Sequence, residues 1–262
     1  MYTVTSRIEQ IRQPRGGYVR PSSFETTLYD DGKTLNEHEN IHWTVVGLAV
    51  DYLTRFLLGD AAKDAFAVSV KGAKVAKFFG SKDSQDSVKE IREYLKKIKG
   101  LDDQSIVNAC KAVTFDVWFR NIGSAPLART AKETQPDPGT VENVRILVER
   151  SVAFWQAHGP VLVKGFDFTP DGYSDMVSKG EGDYLTEDTL WDIKVSKQAP
   201  RSKHTLQILM YYIMGKHSNN KIFENITKIG IFNPRLNKSY VLDMTTVPDE
   251  VIAIVEKEVI CY

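Results

Sequence analysis

The stretch GDYLTEDTLWDIKVSK (residues 182–197) holds two aspartates, Asp183 and Asp192, and a lysine, Lys194, two positions after the second. The segment 189–196 reads as a strand. Side chains alternate along a strand, so Asp192 and Lys194 share one face, and Trp191, Ile193 and Val195 point to the other. The polar run Thr186-Glu187-Asp188-Thr189 lets the chain turn. If the preceding segment 173–185 pairs with 189–196, Asp183 comes to lie beside Asp192. Two carboxylates brought together repel and call for a cation. Oxygen-only ligands suit Mg²⁺ or Mn²⁺, which hold bonds of ~2.0–2.1 Å and keep waters that a substrate phosphate can displace. A lysine at that place would orient or help deprotonate a metal-bound water, or stabilise charge developing on phosphorus.

Outward from this stretch the hydrophobic period divides the chain. Residues 1–35, with RQPRGGYVRPSS, read as an irregular basic arm. Residues 36–59, 60–80, 84–100 and 101–123 carry apolar residues at three- and four-residue steps, with Gly59, Gly80, Gly100 and Gly123 as stops, which predicts an all-helical region. The Pro- and Gly-bearing connector 125–140 is the expected boundary, giving a helical region over 36–139 and a second region over 140–262. A helix is predicted over 140–159. After residue 160 the pattern becomes strand-like at 161–168, 173–185 and 189–196. A helix at 202–217, strands at 226–234 and 239–245, and a helix at 248–262 complete the chain. The expected class is α/β (α+β), with helices first.

Two carboxylates, an Asp-x-Lys strand and a following helix resemble the PD-(D/E)XK nuclease superfamily, in its RecB-like branch. Gly182-Asp183 looks like the family's GD element, Asp192-Ile193-Lys194 like its (D/E)xK element, and Gln207 with Tyr211, four apart on one helix face, like its QxxxY element. The resemblance covers roughly residues 140–245. It implies a restriction-endonuclease-like αβββαβ core with a mixed central sheet, preceded by the helical region. It also implies a catalytic set of Asp183, Asp192, Lys194, Gln207 and Tyr211, with an acid on the preceding helix, for which Glu149 is favoured over Glu142. The metal, Mg²⁺ or Mn²⁺, would be held by Asp183, Asp192 and Ile193. An N-terminal histidine is also expected there, with His42 favoured, His38 the other candidate and Asp51 a weaker one.

The implied activity is metal-dependent hydrolysis of phosphodiester bonds in single- or double-stranded DNA. The alternative is a catalytically inactive nuclease-fold module that binds nucleic acid or a protein, and a phosphoesterase acting on small molecules is a third reading. Residues 195–223 contain no acid. Lys197, Arg201, Lys203 and His204 follow the Asp-x-Lys strand, where a phosphate backbone would be held. Arg7, Arg12, Arg15 and Arg20 form a second basic segment that could track a backbone or fold over the site.

Composition narrows the field further. Of 262 residues, 42% are hydrophobic and 26% charged, and the formal net charge is zero, so any contact with DNA must come from local patches. The absence of HExxH, CxxC, GxSxG and P-loop patterns argues against zinc, serine-hydrolase and nucleotide-driven chemistry. Cys110 and Cys261 do not make a disulfide scaffold, no apolar h-region opens the chain and no apolar run approaches ~18 residues. A cytoplasmic protein without a membrane span is expected, with the helical region available to a second copy or a protein partner.

Overall fold

Residues 189–193 form a strand, as their alternation predicts, and it lies in the interior of a mixed sheet. The structure is a computed structural model, and it describes residues 1–80 and 84–262. The elements begin with β1 (Tyr2–Thr3), α1 (Val4–Gln10) and β2 (Glu25–Leu28). Next come α2 (Trp43–Leu57), α3 (Ala62–Ala65), α4 (Ala67–Phe79), α5 (Ser87–Lys96), α6 (Asp103–Val113), α7 (Asp116–Arg120) and α8 (Pro138–His158). The chain continues with β3 (Val163–Phe166), β4 (Val177–Lys179), β5 (Gly182–Leu185), β6 (Thr189–Ile193), α9 (Ser202–His217), β7 (Lys228–Asn233), β8 (Lys238–Asp243) and α10 (Asp249–Ile254). It divides into two units, one of residues 32–153 and one of residues 1–31 with 154–262. Among the described residues no helix is long and apolar enough to cross a membrane.

The sheet unit has six strands in the order β2-β8-β7-β6-β5-β3. All neighbours are antiparallel except β6 and β7, which are parallel and joined by the α9 crossover. Alternation assigns the faces. Leu190 of β6, Ile229 and Ile231 of β7 and Leu185 of β5 pack in one cluster with Leu206, Ile208, Leu209 and Tyr211 of α9. The opposite face is aromatic. Phe154 of α8 stacks on Phe232 at 4.0 Å between centroids, Trp155 on Tyr184 at 4.5 Å, and Trp191 meets Phe154 edge-on at 5.0 Å. Gly230, paired with Trp191 across β7 and β6, is glycine because a Cβ there would enter the Trp191 ring.

Several boundaries differ from the sequence reading. The N-terminal arm is not irregular through residue 31. Thr3 caps α1 through the Ser6 N–H at 3.0 Å, β1 pairs with β4, and the Glu-Thr-Thr-Leu of β2 forms the sheet edge against β8. The segment read as one strand at 173–185 is two, because β4 leaves the main sheet to pair with β1. Nor does the division fall at 139/140. The first part of α8 is tied to the helical unit, where Asn143 Oδ1 accepts the Asn36 N–H at 2.7 Å and Arg145 Nε donates to the Leu101 carbonyl at 3.0 Å. Residues 36–42, read as helical, are held by such bonds instead, and α2 begins at Trp43.

Substituting Gly230→Ala should overpack the Trp191 pocket and cost about 1–3 kcal/mol. Urea unfolding would report this as a lower midpoint at unchanged slope, and an unshifted midpoint would contradict the close approach of Gly230 to Trp191.

Candidate functional site

The strand register brings the acids together. β5 and β6 pair Tyr184 with Trp191 and Leu185 with Leu190, and the next step along that ladder sets Asp183 opposite Asp192. The ladder ends there. The Asp183 carboxylate takes over, its Oδ2 accepting the Ile193 N–H at 2.8 Å. One strand position beyond Ile193, the Lys194 ammonium lies 2.7 Å from Asp192 Oδ2. The Asp192 side chain is only 4% exposed and that of Lys194 24%. The three side chains stand at the carboxyl ends of the parallel pair β6 and β7, the end of an open sheet where α/β folds place ligands.

The charges shape one another. Burial alone would lower the Lys194 ammonium, but the negative charges of Asp192 and Asp183 outweigh it and raise its pKa above the ordinary lysine value. Lys194 is therefore a cation and a hydrogen-bond donor at neutral pH. On α9, Gln207 Nε2 donates to Tyr211 Oη at 2.9 Å. Burial first, then the charge of Asp192, pushes the Tyr211 phenol above its usual range, so it stays protonated. His204 is pushed down to about 4 by partial burial and by the cations Lys194, Lys203 and Arg201. Its Nδ1 accepts the Arg201 N–H at 3.1 Å, so the neutral ring carries its proton on Nε2.

Two features were not visible in the sequence. Asn233, fully buried at the end of β7, donates from Nδ2 to the Ser196 carbonyl at 2.8 Å and to the Gln198 carbonyl at 3.3 Å, and its Oδ1 accepts the N–H groups of Arg235 and Leu236. It fixes the loop that follows Lys194. Its only signal was Asn before Pro at a strand end, which marks a turn but not its tertiary target. The N-terminal segment lies against the start of α9. Thr205 Oγ1 donates to the Val19 carbonyl at 2.7 Å, and Gly17, at φ +94°, leaves no room for a Cβ beside Ser202.

Of the residues singled out from sequence, Asp183, Asp192, Ile193 and Lys194 form one group, with Gln207 and Tyr211 bonded to each other on α9. Lys197 and Arg201 are exposed between β6 and α9, Lys203 is exposed on the first turn of α9, and Arg201 is hydrogen-bonded to Gln198. Glu149 and His42 belong to the helical unit. There Glu149 pairs with Lys33 at 2.5 Å, and His42 caps α2, its Nδ1 accepting the Thr44 N–H at 3.2 Å. Arg7 has a structural role, donating to the carbonyls of Val259 and Glu258 at 2.8 and 2.9 Å.

Chemically, the group suits a hard divalent cation. It offers oxygen donors from adjacent strands, and the formal sum of two carboxylates and one ammonium is negative. Among the described residues no three or more His, Cys, Asp or Glu side chains form a ready-made cage. A cation here would rest on two carboxylates, with water or substrate oxygens filling its shell, which is the habit of Mg²⁺.

His204 gives the site a pH signature. Its folded pKa lies below the ordinary 6.5, so the unfolded chain binds more protons between pH 6.5 and about 4. The stability it contributes is complete above pH 6.5 and is lost as the pH falls through that window. We expect urea midpoints of the wild type to fall more steeply over this range than those of His204→Gln, by up to about one proton per unfolding event. Parallel profiles would refute the assignment. Compared with known proteins, the chain matches no family model, no curated protein and no solved structure.

Proposed function

We propose that this chain is a metal-dependent nuclease that hydrolyses phosphodiester bonds of DNA, with a restriction-endonuclease-like αβββαβ core of the RecB-like kind. One observation carries the reading. Asp183 and Asp192 lie on neighbouring strands, with the Lys194 ammonium 2.7 Å from Asp192, at the carboxyl end of a mixed sheet. The order α8, β3, β5, β6, α9, β7, in which three antiparallel strands are followed by a parallel fourth, supports it.

Mg²⁺ or Mn²⁺, held by Asp183, Asp192 and Ile193, would supply a polarised phosphoryl oxygen and a water of lowered pKa. The chain's own groups do the rest. Lys194, 2.7 Å from Asp192, is placed to act on the attacking water or to donate to an oxygen gaining charge at phosphorus. The Gln207 amide fixes the Tyr211 hydroxyl, whose proton stays available for donation. Lys197, Arg201 and Lys203, with the neutral His204, line the loop and helix start next to this group and would position the phosphates of the substrate strand.

The test is incubation with linear, circular and single-stranded DNA in Mg²⁺ or Mn²⁺, beside EDTA. Wild type should cut and EDTA should stop it. Asp192→Asn should fall to background, and Lys194→Ala should lose roughly a hundred- to thousandfold in rate. Removing Lys194 also leaves a buried carboxylate without its cation, at a cost of about 3–5 kcal/mol, so rates are compared per folded molecule. If the wild type leaves every substrate intact yet shifts DNA in a gel, the chain is a binding module instead.

A further inference from the structure

The helical unit carries a surface that the sheet site does not use. Helix α4 (Ala67–Phe79) contains no acid and three lysines at three-residue steps, Lys71, Lys74 and Lys77, all exposed. Its other face is built of small residues. Ser69, Gly72, Ala73 and Ala76 are buried, and Gly72 lies so close to the Phe115 carbonyl that a Cβ could not fit. The close approach of α4 to the start of α7 fixes which way the lysines point. The acids of neighbouring α5 are engaged with other cations, Glu93 with Lys96 at 2.8 Å and Glu90 with Lys132 at 3.3 Å.

Aromatic rings accompany the lysines. Phe78 and Phe79, at the end of α4, are 79% and 72% exposed, and the Lys71 ammonium lies 5.4 Å over the half-buried Phe119 ring of α7. Two adjacent phenyl rings kept in water are costly by the hydrophobic effect unless something covers them. Cations spaced along a helix with flat rings at one end match a chain of regularly spaced anions bearing flat bases. Stacking and charge together are how single strands are held without regard to sequence. A membrane surface fits less well, because it would need a broad apolar face, and here the face opposite the lysines is buried in the protein.

We propose that α4, through Lys71, Lys74, Lys77, Phe78 and Phe79, is a second nucleic-acid contact that binds single-stranded DNA. The choice of DNA rests on the nuclease reading, and the surface itself does not. It would hold a strand independently of the phosphodiester-cleaving group, giving the enzyme grip on substrates that present a single-stranded end.

The test uses the full chain in EDTA, where no cleavage occurs, and a fluorescein-labelled dT20 oligonucleotide read by anisotropy across a salt series. Lys71→Glu, Lys74→Glu and Lys77→Glu combined should weaken binding at least tenfold and flatten the slope of log affinity against log salt by about 2. Phe78→Ala with Phe79→Ala should weaken binding about tenfold or more and leave that slope unchanged. If the charge reversals disturb thermal unfolding, the milder pair Lys74→Gln and Lys77→Gln should shift affinity and slope in the same direction. Unchanged affinity in the folded variants overturns the proposal, as does binding of phosphatidylserine vesicles through these residues with no binding of dT20. Normal Mn²⁺-dependent cleavage beside unchanged affinity sinks this surface alone. Binding of dT20 through α4 without any cleavage sinks the nuclease reading alone.

Discussion

A buried carboxylate governs the sheet unit. Asp192 lies on the same side of β6 as Leu190, within an apolar cluster that spans the sheet and α9. An isolated charge in such surroundings costs several kcal/mol, and a protein keeps one only when it is paired. Lys194 supplies the pair from one position beyond the end of β6, where its N–H still bonds to the Phe232 carbonyl and the period of two keeps it on the same face. The acid and its cation therefore arrive together by backbone geometry, and Asp183 is added by register from the neighbouring strand. Two acids and one base thus share one end of the sheet.

The aromatic layer on the other side of the sheet holds that arrangement still. Trp191 adjoins Asp192 in sequence and points the opposite way, so whatever fixes the indole fixes the strand. Phe154 and Trp155 meet it edge-on, Phe154 is itself stacked on Phe232, and the indole Nε1 donates to Thr186 Oγ1 at 3.1 Å, tying β6 to the turn that leads back to β5. At the far end of the strand Asn233 pins the following loop by its amide. The group of acids and lysine thus rests on a packed aromatic layer and a hydrogen-bonded exit loop.

The helical unit solves a different problem with the same physics. Asp116 is buried at the start of α7 and accepts hydrogen bonds from Tyr52 at 2.6 Å and Ser69 at 2.5 Å, with the Arg120 guanidinium at 3.4 Å. Burial raises its pKa, and these partners offset the rise only in part. The network joins α2, α4 and α7 at one point. It places the small-residue face of α4 inward, and its lysines and phenylalanines face water as a consequence.

The broad run of helices and strands, and the pairings that follow from period, could be read in the amino-acid sequence. Asp192 with Lys194, the polar turn to Asp183, Gln207 with Tyr211 and the switch from helices to strands were all legible, because they depend on residues near one another in the chain. It did not disclose that residues 1–31 join the sheet unit, that 173–185 breaks into two strands, or that the start of α8 sides with the helices. Nor did it reveal Asn233, since a buried amide gains its meaning from carbonyls 35 and 37 residues away. Those were settled only in three dimensions. An edge strand such as β2 and an anchoring amide are chosen by what they meet across the fold, and hydrophobic period carries no record of a distant partner.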